Sequence, residues 1–158
     1  MAKNSERKMY KSPYIFIITL FVSLSLLGCQ ANNKPVSINK IENVPLTNTY
    51  WKVITLKGNH IVTPENTREM FLQFKKGDQV HGFTGCNHFQ GTFITNEASV
   101  EISGLAGTMK LCHEIQAKNE ATLFQTLKQA NRFKVQGETL QLFDKENKKI
   151  AHLNAVYF

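Results

Sequence analysis

The chain has 158 residues, of which 42% are apolar, 20% charged and 10% aromatic, with only 9 Gly and 4 Pro, a composition that excludes collagen, low-complexity repeats and wholesale disorder. Its formal charge is +7, but Lys3, Arg7, Lys8, Lys11 and Glu6 all fall in the first 28 residues, which leaves 15 basic and 11 acidic residues, a net of +4, in the remainder. Those charges are scattered, with Lys75-Lys76 and Lys148-Lys149 as the only adjacent bases, so the basic stripe that phosphate binding needs is missing and nucleic acid is not expected as a partner.

Residues 1–28 read as a signal peptide. Lys3, Arg7, Lys8 and Lys11 form a basic head, and Ile15 to Leu27 is a greasy run of 13 residues, too short for the ~20 residues that span a bilayer. Small Gly28 stands where a signal peptidase would cut, before Cys29. The ending Leu26-Leu27-Gly28-Cys29 resembles the lipobox of bacterial lipoproteins. That resemblance implies an acylated Cys29, with Gly28 and Cys29 flanking the cleaved bond. Two or three acyl chains anchor firmly where one does not. The partner expected first is therefore a membrane, reached through the lipid anchor. Gln30 replaces the Asp that would imply inner-membrane retention, which points to the outer membrane, facing the periplasm.

Residues 29–47 are polar and lack periodicity, and they read as the acylated cysteine and a flexible tether. From residue 48 to 158 short β-branched and aromatic segments recur between turn residues, and one domain is expected. Thr49 to Lys57 predicts a strand, with Trp51 and Val53 opposite Tyr50, Ile54 and Leu56 only if a bulge intervenes. Arg68 to Lys75 sets Met70, Leu72 and Phe74 on one face. Gly77 turns that strand into Gln79 to Phe83. Gln90 to Thr95 and Ala98 to Ser103 predict a second hairpin around Asn96-Glu97, with Glu97 and Glu101 on an exposed face.

Residues 114–130 place Ala117, Ala121, Leu123, Phe124, Leu127 and Ala130 at helical spacing, with Glu114 early and Lys128 and Arg132 late, as the helix dipole favours. Asn131 to Gln136, Thr139 to Phe143 and Lys149 to Leu153 predict three closing strands. Turns this short require antiparallel neighbours. The fold class is α+β: an antiparallel β-rich sheet or partly closed barrel with one main helix.

Cys86 and Cys112 remain once Cys29 is committed to lipid, and an even pair in an oxidising compartment is a disulfide candidate. Two buried free thiols are the bland alternative. Cys86, His88, Cys112 and His113 together offer a ligand set that zinc accepts, although Cys112 and His113 are adjacent and reach one ion poorly. A Cys86 nucleophile beside His88 is disfavoured, since alternate residues of a strand stand about 6 to 7 Å apart. With no other catalytic constellation, no enzyme activity, no catalytic residue, no bound metal and no cofactor are expected. The segment Gly82 to Gly91 is dense in glycine and reads as a shaped corner with Phe83, Phe89 and Phe93 packed around it, either as core or as an exposed aromatic patch for a partner.

Three stretches carry a resemblance: Thr49-Tyr50-Trp51; Gly85-Cys86-Asn87-His88-Phe89-Gln90-Gly91-Thr92-Phe93; and Thr108-Met109-Lys110-Leu111-Cys112. Together with the helix that follows, they resemble the META-domain family, whose bacterial members include HslJ-like lipoproteins. The residues that match its motifs are Trp51, Gly85, Cys86, Asn87, Phe89, Gly91, Met109 and Cys112; Phe93 and Lys110-Leu111 depart from its usual pattern. The resemblance implies a compact antiparallel domain, often lipid-anchored and linked to stress or drug tolerance, with no agreed chemistry. The expected function is a non-enzymatic envelope lipoprotein that binds an envelope protein or peptidoglycan. The alternatives are a periplasmic inhibitor of a host lysozyme or other hydrolase, for which a like charge of +4 is a handicap, and a zinc or thiol-redox module.

Overall fold

A computed structural model describes residues 42–158. The signal peptide, Gly28, the Cys29 lipidation site and the tether up to residue 41 lie outside the described residues.

Among the described residues nine strands and one helix follow in the order β1 (Tyr50–Leu56), β2 (Asn59–His60), β3 (Phe71–Lys75), β4 (Gln79–Phe83), β5 (His88–Asn96), β6 (Ser99–Gly107), α1 (Glu114–Gln129), β7 (Arg132–Gln136), β8 (Thr139–Phe143) and β9 (Lys149–Val156). The strands form one antiparallel sheet in the order β2-β1-β3-β4-β5-β6-β7-β8-β9, and β1 pairs with β9 as well, so the sheet returns on itself as a ring. This is the α+β class expected from the sequence.

Alternation along the strands fills the ring with apolar side chains. Trp51, Leu72, Phe74, Val80, Leu140, Leu142 and Leu153 are all fully buried, and Leu123 and Leu127 of α1 join them. In β1 a register shift falls between Val53 and Thr55. It brings Leu56 onto the face of Trp51 and Val53, whereas the sequence pattern sets Leu56 opposite them with Tyr50 and Ile54. At β3 the expected Leu72 and Phe74, with Met70 just before the strand, face inward, but Phe71 is buried as well. It lies on the opposite face, where the Tyr50 ring stacks on it at 4.2 Å and the Arg68 guanidinium covers it. Gly82 points inward; a Cβ there would lie 2.6 Å from the Phe89 ring.

The short hairpins match their sequence signals. Gly77 and Asp78 take left-handed φ of 86° and 60° between β3 and β4, and Glu97 does so between β5 and β6. Four differences have local causes. β6 runs on past Ser103, because left-handed Gly104 makes a bulge opposite Gln90 and Thr92 and does not end the strand. Arg132, expected to serve the helix end, belongs to β7 and lies over the Phe143 ring. Ala117 and Ala121 are exposed, since the inward stripe of α1 runs instead through Gln116, Glu120, Leu123 and Leu127. Finally, residues 43–47, read as the end of the tether, are fixed to the domain. Val44 N donates to Gly137 O, Asn43 Oδ1 accepts from Gly137 N, and Leu46 O accepts from Trp51 Nε1. Most of these bonds use main-chain atoms, to which composition is blind.

Candidate functional site

The loop between β4 and β5 is a tied corner. Gly85 holds φ 92°, a left-handed conformation natural to glycine. Thr84 N donates to Asn87 O at 2.8 Å, and Thr84 Oγ1 accepts from Asn87 N at 2.9 Å. Asn87 is only 2% exposed, and an amide so deeply buried needs partners for both of its ends. Its Oδ1 accepts from Thr108 Oγ1 and from Lys110 N, each at 2.9 Å. Its Nδ2 donates to Glu120 Oε2 at 3.0 Å and lies 3.2 Å from Cys112 Sγ. Glu120 Oε2 also accepts from Thr84 Oγ1 at 2.6 Å, and Gln116 Nε2 donates to Gly85 O at 3.0 Å.

Three segments thus meet on Asn87: the corner, the loop 108–113 after β6, and the first half of α1. A covalent link joins the first two, because Cys86 and Cys112 form a disulfide with Cα atoms 6.0 Å apart. That bond engages both sulfurs, so the thiolates that a zinc site with His88 and His113 would need are not free. His88 instead packs against Phe83 with ring centres 5.0 Å apart, and His113 is the exposed residue before α1. Among the described residues no three His, Cys, Asp or Glu side chains are grouped to hold a metal ion.

The other motif residues divide by role. Trp51 and Phe89 are core, Phe89 meeting Phe124 edge to face at 5.6 Å. Gly91 of β5 lies opposite the bulge of β6, where a Cβ would come within 2.8 Å of Ser103 O. The three phenylalanines do not cluster round the corner: Phe89 and Phe93 enter the core, and Phe83 lies half-buried on the outer face. Met109 is 98% exposed, and Leu111 is wholly so. They stand on the loop that Asn87 and the disulfide hold in place. Ile115, in the first turn of α1, and Val62 are also exposed, and both border a narrow cleft beside Thr84 and Gly85.

These four apolar side chains form a rim on the loops that follow β2 and β6 and at the start of α1. Sequence reasoning missed the rim, since hydrophobicity by itself argues for burial. The one available signal was Lys110 set between Met109 and Leu111 in a segment without periodicity. It also missed Gln116 and Glu120 as bonding partners of the corner, although their spacing with Leu123 and Leu127 lies on one helical stripe.

A family model described as META domain matches residues 44–157. The chain is similar in structure to a protein from Burkholderia xenovorans solved by NMR, at 18% identity and a TM-score of 0.58, over 72% of this chain and 85% of that one. It is also similar to a DUF4847 family protein from Bacteroides vulgatus known from a crystal structure, at 13% identity and a TM-score of 0.51, over 69% of this chain and 93% of that one. Identities this low speak to the fold alone. No curated protein matches the chain.

Proposed function

Because the chain belongs to the META-domain family, we propose that it is a non-enzymatic envelope lipoprotein whose domain binds an envelope protein or peptidoglycan in support of stress or drug tolerance. Acyl chains on Cys29 hold it to the outer membrane on the periplasmic side. The observation that carries this reading is the pair Met109 and Leu111, exposed on a loop that the Cys86–Cys112 bond and Asn87 fix in place. Leaving large apolar groups in water forgoes the burial energy they would otherwise supply, about 1.5–3 kcal/mol for each side chain. Groups displayed on a rigid loop also lose little further freedom when a partner covers them.

The test is photo-crosslinking in living cells from Met109, Leu111 and Ile115, with Glu101 on the β5–β6 hairpin as the control position. Crosslinks to the same envelope component from the three rim positions and not from Glu101 are expected, as is incorporation of a clickable palmitate that disappears with Cys29→Ser. Rim positions that crosslink no more than Glu101 count against the rim. Turnover of any substrate lost with His88→Ala in a folded protein counts against a non-enzymatic role.

A further inference from the structure

The rim leaves the outer face of β4, β5 and β6 unused. Register sets His81 opposite Gln90, Gln79 opposite Thr92 and Phe83 opposite His88. These six side chains therefore stand on one face, and the next strand adds Ser103 and Ala106. Gly104 keeps that third strand low, and the register shift between Gln90 and Thr92 coils the sheet there. Two adjoining hollows result, of about 540 and 460 Å³, which share His81 and Gln90. Each is within the size range of ordinary ligand sites.

The chemistry of the walls is one-sided. Lys75, His81 and His88 line the hollows together with the amides of Gln79 and Gln90 and the hydroxyl of Thr92, and no Asp or Glu lines either one. His81 Nε2 is buried without a hydrogen-bond partner. A buried ring nitrogen with no partner in the protein leaves the hydrogen-bonding capacity of His81 unspent beside the hollows that this residue lines. We propose that this trough binds an acidic glycan, a chain of hydroxyl-rich rings carrying carboxylates. Cationic and donor groups without a carboxylate select an anion, and amides that both donate and accept suit sugar hydroxyls. The polar groups are spread over two hollows and do not converge on one point, which suits a chain of rings better than a single phosphate. The strands hold these groups in place before any ligand arrives. This site is separate from the apolar rim and does not rest on the reading given to it.

The test is titration of the full-length protein in detergent micelles with tetragalacturonate, uncharged maltotetraose and inorganic phosphate at low salt, followed by calorimetry and amide NMR. Tetragalacturonate is expected to bind at least about tenfold more tightly than maltotetraose and to shift the amides of Gln79, His81, His88, Gln90 and Thr92. Gln90→Ala and His88→Ala, both at exposed positions, are each expected to weaken it about fivefold or more at unchanged melting temperature. The double variant Met109→Ser, Leu111→Ser is expected to bind it as the parent does, which keeps failure of the rim distinct from failure of the trough. Absence of binding, equal affinity for the two tetrasaccharides, displacement by phosphate at equal concentration, or amide shifts that map elsewhere would each overturn the proposal.

Discussion

At Asn87 one side chain serves three segments, so its replacement has consequences beyond its own size. Asn87→Ala leaves Lys110 N and the Thr108 hydroxyl without their acceptor and removes one of the two donors to Glu120. Unsatisfied buried groups cost about 1–3 kcal/mol each, and a loss of about 2–4 kcal/mol is expected in urea unfolding. Asn87→Asp keeps the shape but sets a carboxylate beside that of Glu120; it is expected to be no more stable than Asn87→Ala at neutral pH and to recover partly in acid, as one of the two carboxyls protonates. His81 gives the opposite pH response. Burial, then the nearby charges of Lys75 and His88, hold its pKa below the ordinary 6.5. The unfolded chain therefore takes up a proton before the folded one does. The contribution of this residue is complete above the unfolded value and is lost as pH falls below 6.5 toward the folded one. Unfolding midpoints measured at about pH 7 and about pH 5 are expected to differ less in His81→Gln than in the parent. At this scale the sequence was half legible. Gly85-Cys86-Asn87 announced a shaped corner, but the groups that bond the Asn87 side chain lie 21 to 33 residues further on, where no local pattern points back to it.

Among the elements, the loop 108–113 depends most on covalent help. It has no regular structure of its own, and it is held by Asn87 and by a bond that spans a sequence separation of 26 residues. In the chain-entropy model, closing such a loop is worth roughly 3.5 kcal/mol. Reduction, or the pair Cys86→Ser and Cys112→Ser, is expected to lower stability by about that amount, and amides of residues 108–113 are expected to exchange faster while those of β8 and β9 do not. Denaturant titration with and without reductant, alongside hydrogen exchange, checks both parts. Hairpins and helix were the most legible elements, because their signals are local: Gly77 at a turn, Leu123 and Leu127 four apart, alternation through Thr139 to Phe143. β6 was harder. Gly104 reads as a stop, yet a bulge lets the strand pass through it. β2, two residues long, is too short to carry any pattern.

For the whole molecule the decisive pairing is the one that closes the ring. β1 and β9 are paired from Tyr50↔Val156 to Leu56↔Ala151, with nearly the whole domain between them in sequence, and nothing local in either strand names the other. Sequence periodicity could say antiparallel sheet or partly closed barrel and no more. The opposite side of the ring is thin: β6 and β7 share a single register pair, Ser99↔Arg132, supplemented by Val100 N to Asn131 O and Phe133 N to Ala98 O. Opening is expected to start there. Hydrogen exchange should find β6 beyond Ile102 and β7 less protected than the β1–β9 ladder, and equal protection throughout would show that α1 compensates for the missing bonds.

Since the first and last strands of the ring lie side by side, the order in which the chain visits them is open to revision. A circular permutant that joins residue 158 to residue 43 through a short flexible linker, and begins instead within the exposed loop at Glu65-Asn66, keeps every strand pair. It is expected to fold with an unchanged near-ultraviolet spectrum. β1 runs from its entry at Tyr50 toward the loop that holds Val62, so the permuted chain would enter from the end that carries the rim. A leader and acylated cysteine grafted there would hold a native fold by the wrong end, and loss of crosslinking with the fold intact would reveal that orientation itself had been selected.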